Sequence, residues 1–178
     1  MKDPLIRAVS ALVLFLAIQA GCSMSRIVWP QRDIEGFEVN DPANEIRVLV
    51  ASRESVFKSA LVKRIQGYYE GRPVYVKCIG IGGLSREKAA DYSCIVLIST
   101  CIARGPDPMV LDFIETHPYY YDFVALTTSD EGSWKPEIDH KEVDTISSAS
   151  VMADVDHKSL EAVSLIDKHL KENIRLFH

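Results

Sequence analysis

Apolar residues along the chain fall into short continuous runs, separated by stretches with helical spacing. The run Ile46-Arg47-Val48-Leu49-Val50-Ala51 is β-branched and almost wholly apolar, as expected of a strand buried on both faces of a parallel sheet. Phe57, Leu61, Ile65 and Tyr68 then recur at helical spacing, and Gly67 and Gly71 mark the end of that helix. A second strand is expected over 73–81, closed by Gly82-Gly83, and 85–91 leaves room only for a short helix. Cys94-Ile95-Val96-Leu97-Ile98 is the third strand and the most apolar. Asp107-Pro108 is a helix start, with Asp as N-cap and Pro at the first helical position. Met109, Val110, Phe113 and Ile114 form its buried face, and Pro118 stops it. A fourth strand follows over 122–127, then a polar stretch, 129–142, without helical period, then a weak fifth strand over 145–150. The last helix starts near Asp156 and carries Leu160, Val163, Ile166, Leu170 and Ile174 on its apolar stripe.

Strands alternating with helices imply an α/β domain in three layers, with a central parallel sheet of four to five strands and helices on both faces. Ligands of such sheets sit beyond the carboxyl ends of the strands. The loops of interest are therefore 52–55, 99–106 and 128–136.

The amino terminus has a different pattern. Lys2 and Arg7 precede an uncharged, mostly apolar segment from Ala8 to Gly21. It is short for a membrane span and ends in small residues, which is the pattern of a signal peptide over 1–21. The closing Gln19-Ala20-Gly21-Cys22 resembles the bacterial lipobox, although Gln19 stands where that motif has Leu or a similar residue. The resemblance implies lipidation of Cys22, with a palmitate-type acyl anchor and a place in the cell envelope. Ser23 replaces the Asp that retains enteric lipoproteins at the inner membrane, and so leans towards the outer one. Residues 22–44, interrupted by Pro30, Gly36 and Pro42, read as a tether, and 45–178 as the domain.

Composition narrows the function. Twenty Lys and Arg against 25 Asp and Glu give a net charge of −5, so no basic stripe offers itself to nucleic acid. Cys78, Cys94 and Cys101 are an odd number beyond the lipobox, not a disulfide framework. Cys78 and Cys94 sit in apolar runs, and neither the Cys spacing nor the scattered His residues make a metal site.

At the three loops, and over roughly residues 46–176, the chain resembles the flavodoxin family. The order of elements matches. So does Asp91-Tyr92-Ser93-Cys94 leading into a strand that ends Ser99-Thr100, followed by Gly105-Pro106 and a helix. The resemblance implies FMN as cofactor and electron transfer as activity. The flavin-binding residues it implies are Ser52, Arg53, Ser55, Ser99, Thr100, Thr127, Thr128 and Trp134, the last as a stacking aromatic. The first loop departs from the family's hydroxyl- and glycine-rich phosphate loop. Glu54 replaces a Thr, Ser55 replaces the Gly, and Val56 and Phe57 offer no donor side chain. Ile102 stands where family members place a stacking Tyr. Glu54 is thus the expected obstacle to a phosphate unless Arg53 or Lys58 screens it, the plainer reading of Arg53 and Lys58 being ordinary solvated surface. Two readings stay open: a degenerate FMN-binding electron-transfer module with a redox partner, and a flavin-free binding or scaffold lipoprotein with an envelope partner. A stand-alone enzyme is a third reading and the least supported. Cys101 and Ser52 are the only candidate nucleophiles, and neither has a His close in sequence.

Overall fold

Six strands form one sheet in the computed structural model, which describes residues 31–102, 105–135 and 143–176. In chain order the elements are β1 (Phe37–Val39), β2 (Ile46–Ser52), α1 (Val56–Tyr69), β3 (Val74–Gly80), β4 (Cys94–Thr100), α2 (Pro108–Thr116), β5 (Phe123–Thr128), β6 (Asp144–Ser148) and α3 (Val155–Leu176). Short 3-10 helices at Ile81–Arg86, Ala89–Asp91 and Met152–Asp154 complete it. The strands lie in the order β1-β3-β2-β4-β5-β6. β1 is antiparallel to β3, and the other neighbours are parallel.

The sheet thus has six strands rather than four to five. The additional one is β1, which lies in the segment expected to be tether. Val39 pairs with Val76 and Phe37 with Cys78. Asn40 follows in a left-handed conformation with φ 66°. Its side chain donates to the carbonyls of Tyr69 (2.8 Å) and Val74 (2.7 Å) and accepts from the Gly71 amide at 2.9 Å. One short polar side chain therefore ties β1 to the end of α1 and the start of β3. From Arg32 onward the chain forms one compact unit, so 32–44 is part of the folded body.

Because successive strand residues face opposite ways, the apolar runs feed two cores. Val48, Val50, Val76, Val96, Ile98 and Leu126 pack with Leu61 and Ile65 of α1 and Ala162 and Ile166 of α3. Leu49, Ala51, Ile95, Leu97 and Phe123 pack with Val110, Phe113 and Ile114 of α2 and with Ile81 and Leu84. Helices therefore cover both faces. Ser55 caps α1 by accepting from the Lys58 amide at 3.1 Å, and Asp107 caps α2 through the Met109 amide at 3.0 Å, with Pro108 in the first turn.

Local expectations change at the 85–91 helix and at two residues expected to be buried. The short helix expected at 85–91 is two 3-10 turns, one of which starts earlier, at Ile81. Leu160, expected in the core, is 65% exposed, and Met109 is exposed as well. Within 129–135 there is no helix, while 136–142 and Cys22 lie outside the described residues.

Candidate functional site

The carboxyl ends of the parallel strands carry hydroxyl residues in two rows. Ser99 pairs with Thr127 and Thr127 with Ser147; one residue later Thr100 pairs with Thr128 and Thr128 with Ser148. Alternation places the first row on the α2 side of the sheet and the second on the α1 and α3 side. The sequence reading selects this end of the sheet, and the structure brings Ser99, Thr100, Thr127 and Thr128 together there. All but Thr100 are buried. Several hydroxyls already have partners in the chain. Ser147 donates to the Trp134 carbonyl at 2.6 Å, and Thr128 donates to the Ser99 carbonyl at 3.3 Å. Ser148 accepts from the Ser150 amide at 3.2 Å. Trp134 is half-buried and contributes its carbonyl to this group.

The sheet order makes the boundary between β2 and β4 the point where connections diverge, which is the crevice where ligands of open α/β sheets bind. Polar links span it here. Arg53, just after β2, directs Nε to Asp107 Oδ2 at 2.8 Å and Nη2 to Asp107 Oδ1 at 3.3 Å. Its Nη1 donates to Asp33 Oδ1 at 2.7 Å. Asp107 is 1% exposed and Arg53 8%. Burial works against the guanidinium's charge, but hydrogen bonds and charge from Asp107, and then from Asp33, outweigh it and hold its pKa above the ordinary value. Lys58, in the first turn of α1, donates to Thr100 Oγ1 at the end of β4. Burial pushes its ammonium down to about 8, with repulsion from Arg53 adding and Asp107 opposing.

This corrects the reading of the loop. Arg53 and Lys58 are buried, not solvated surface. Glu54 is exposed, and its amide donates to the Arg32 carbonyl at 2.7 Å. Ser55 is a helix cap, and Ser52 turns its hydroxyl onto the Arg53 carbonyl at 2.8 Å. Ile102 closes a tight bridge with Gly105 beyond β4. The carboxylates that matter are Asp33 and Asp107. Sequence reasoning puts Asp33 in the tether and gives Asp107 only a capping role. An Arg directly after a strand whose residues 48–51 are all apolar and buried is the available signal, since such a cation needs a carboxylate to be buried.

The residues present do not fit the flavin phosphate that the resemblance implies. The amides of Arg53 and Glu54 are spent on the carbonyls of Ile98 (3.0 Å) and Arg32 (2.7 Å). The guanidinium is held between two carboxylates, so a dianion there would meet Asp33 and Asp107 as well as Arg53.

At the opposite end of the sheet, α3 is clipped to the strands. His169 Nδ1 lies 3.0 Å from Asp122 Oδ1, and Nε2 lies 3.1 Å from Asp144 Oδ2. The second contact has ion-pair distance without hydrogen-bond geometry, leaving Nε2 unsatisfied in that sense. These distances make the group a structural tie between helix and sheet. Among the described residues no cluster of His, Cys, Asp and Glu is arranged to hold a metal ion, and no helix is long and apolar enough to cross a membrane.

No family model matches the chain, and no curated protein matches it.

Proposed function

We propose that the chain is a lipid-anchored envelope protein whose flavodoxin-like domain serves as a flavin-free binding or scaffold module. The fold part of this reading is supported by the order of the five parallel strands: numbered from β2 they run second, first, third, fourth, fifth, the order of flavodoxin-like doubly wound sheets. α1 and α3 on one face and α2 on the other complete the three layers.

The observation that carries the flavin-free reading is the Arg53–Asp107 pair across the β2–β4 crevice, with both partners buried. A flavin phosphate seated in this crevice would have to break this pair and leave a carboxylate uncompensated, which costs on the order of 3–5 kcal/mol. The domain would then present its surface to an envelope partner, and the hydroxyl rows would serve mainly to finish the strands. The test is titration of FMN with the purified chain, read by flavin fluorescence. No saturable quenching is expected. Tight quenching would overturn the reading in favour of an electron-transfer module with a redox partner.

The anchor is supported by the lipobox-like Gln19-Ala20-Gly21-Cys22 after an apolar segment. Cys22→Ala should leave the chain unprocessed and unlabelled by a palmitate analogue. Equal labelling of variant and parent would remove the anchor from the proposal.

A further inference from the structure

The Asp33 carboxylate sits in a pocket shaped for an oxyanion. Oδ1 accepts from Arg53 Nη1 at 2.7 Å, and Oδ2 accepts from the Gly82 amide at 2.9 Å. The floor is made by two glycines. A Cβ on Gly80 would lie 2.3 Å from Asp33 Cβ, and one on Gly82 would lie 2.7 Å from Asp33 Oδ2. Neither position tolerates a side chain while the carboxylate is in place. The guanidinium that forms the wall is fixed independently, because Asp107 binds it through both carboxylate oxygens. Nη1 is thereby aimed at the pocket by contacts that do not involve Asp33. The pocket lies between the ends of β2 and β3, to one side of the β2–β4 crevice.

Asp33 itself is more open to solvent. Its side chain is 33% exposed. Its backbone makes an isolated antiparallel bridge with Arg53, and the neighbouring Ile34 amide reaches the Ser52 carbonyl only at 3.4 Å. The bound carboxylate is therefore a solvent-reachable group facing a preorganised receptor, and its segment is tied on either side by the Arg32 carbonyl, which accepts from the Glu54 amide at 2.7 Å, and by Ile34 against the core.

We propose that Arg53, the Gly82 amide and the Gly80–Gly82 backbone form an anion site that Asp33 occupies as an intramolecular ligand, and that the site takes a small carboxylate or phosphate when the segment around Asp33 lifts away. The shared chemistry is a planar or tetrahedral oxyanion offering two oxygens to a guanidinium and a backbone amide. Because Asp33 is tethered, it competes at a high effective concentration and keeps weak anions out. Segment 32–36 thus acts as a latch on the site. The inference rests on the binding-module reading for its purpose, but the two fail separately. FMN quenching would overturn that reading, whereas the experiment below addresses the latch alone.

The experiment uses the full chain and follows the Gly82 amide by NMR while inorganic phosphate or acetate is added, with chloride at equal ionic strength as control. In Asp33→Ala the Gly82 signal should move saturably, with a midpoint at least roughly tenfold lower than in the parent chain. Response to phosphate alone, to acetate alone or to both supports the site and identifies the source of the oxyanion. A Gly82 signal that moves no further than in chloride, or with the parent's midpoint, overturns it. Should Asp33→Ala fail to fold, hydrogen exchange at Ile34 in the parent chain decides between the outcomes. Faster exchange in phosphate or acetate than in chloride supports the latch, and equal exchange overturns it.

Discussion

Asp107 has two jobs, and two substitutions separate them. As a carboxylate it neutralises Arg53 through contacts of 2.8 and 3.3 Å, and as an N-cap it accepts from the Met109 amide at 3.0 Å. Asp107→Asn keeps one oxygen for the cap but removes the charge and turns an NH2 donor towards a guanidinium that has only donors. Breaking a buried pair from one side costs about 3–5 kcal/mol, because the remaining charge is stranded. Asp33 still compensates part of Arg53, so the lower end, about 3 kcal/mol, applies to Asn. Asp107→Ala also loses the cap, adding about 1 kcal/mol. The expected order of stability is parent, then Asn, then Ala. Urea unfolding measures it: with a slope of about 1–3 kcal/mol per molar, a loss of about 3 kcal/mol moves the midpoint by about 1 M or more. Arg64→Met is the control, because its partner Asp156 is exposed and such a surface pair is worth at most about 1 kcal/mol. An Asn midpoint no lower than that of Arg64→Met would refute the claim that Arg53 and Asp107 form a buried, charge-compensating pair across the crevice.

Leu170, 6% exposed in the core between α3 and the sheet, should lose about 2–5 kcal/mol on truncation to Ala, and an unchanged urea midpoint would mean that α3 does not pack there. Lys58 sets a pH dependence. Its folded pKa is about 8 against an ordinary 10.5. Between those values the unfolded chain holds the proton that the folded one has released, so Lys58 makes stability rise with pH across this window. The buried thiols of Cys78 and Cys94, pushed up by desolvation, act in the opposite sense at the alkaline end. The quantity to measure is therefore the difference between parent and Lys58→Met. Any stability advantage of the Met variant should shrink as pH rises from about 8 to about 10, and a constant difference would contradict the burial of an ammonium at this position.

How far the sequence exposes this molecule depends on whether a residue's role is local. The parallel strands are legible because burial on both faces forces continuous apolar runs such as Val48-Leu49-Val50 and Ile95-Val96-Leu97. The start of α2 is legible because an Asp cap and a Pro act within their own turn. β1 is not legible. Three residues, Phe37–Val39, are too few to show a period, and their pairing with β3 is made across nearly forty positions. The stripe of α3 is obscured for a different reason. Among the described side chains of α3, Val155, Ser159, Ala162, Val163, Ile166, His169 and Leu170 are the buried positions, and two of them are polar. Ser159 is accommodated by donating to the Asp156 carbonyl at 2.8 Å, and His169 lies between Asp122 and Asp144. Without those partners in view, Leu160 looks like the start of the stripe, whereas it lies off to one side of it.

The same distinction decides what can be learned about the site. Residue types single out Glu54 as the charge that bars a phosphate, since it replaces a hydroxyl in the loop. In the fold two carboxylates from other segments, Asp33 before β1 and Asp107 before α2, meet on Arg53, and the flavin-free proposal assigns that part to them. Restoring the family-like loop by Glu54→Thr with Ser55→Gly would therefore leave both carboxylates in place. It would also remove the hydroxyl that caps α1, and replacing a Ser cap by Gly costs a few tenths of a kcal/mol. That pair of substitutions should leave FMN affinity unchanged in a fluorescence titration while slightly lowering the urea midpoint. A clear gain in affinity would place the obstacle at Glu54 after all, and would show that Arg53 can exchange its carboxylates for a ligand's phosphate.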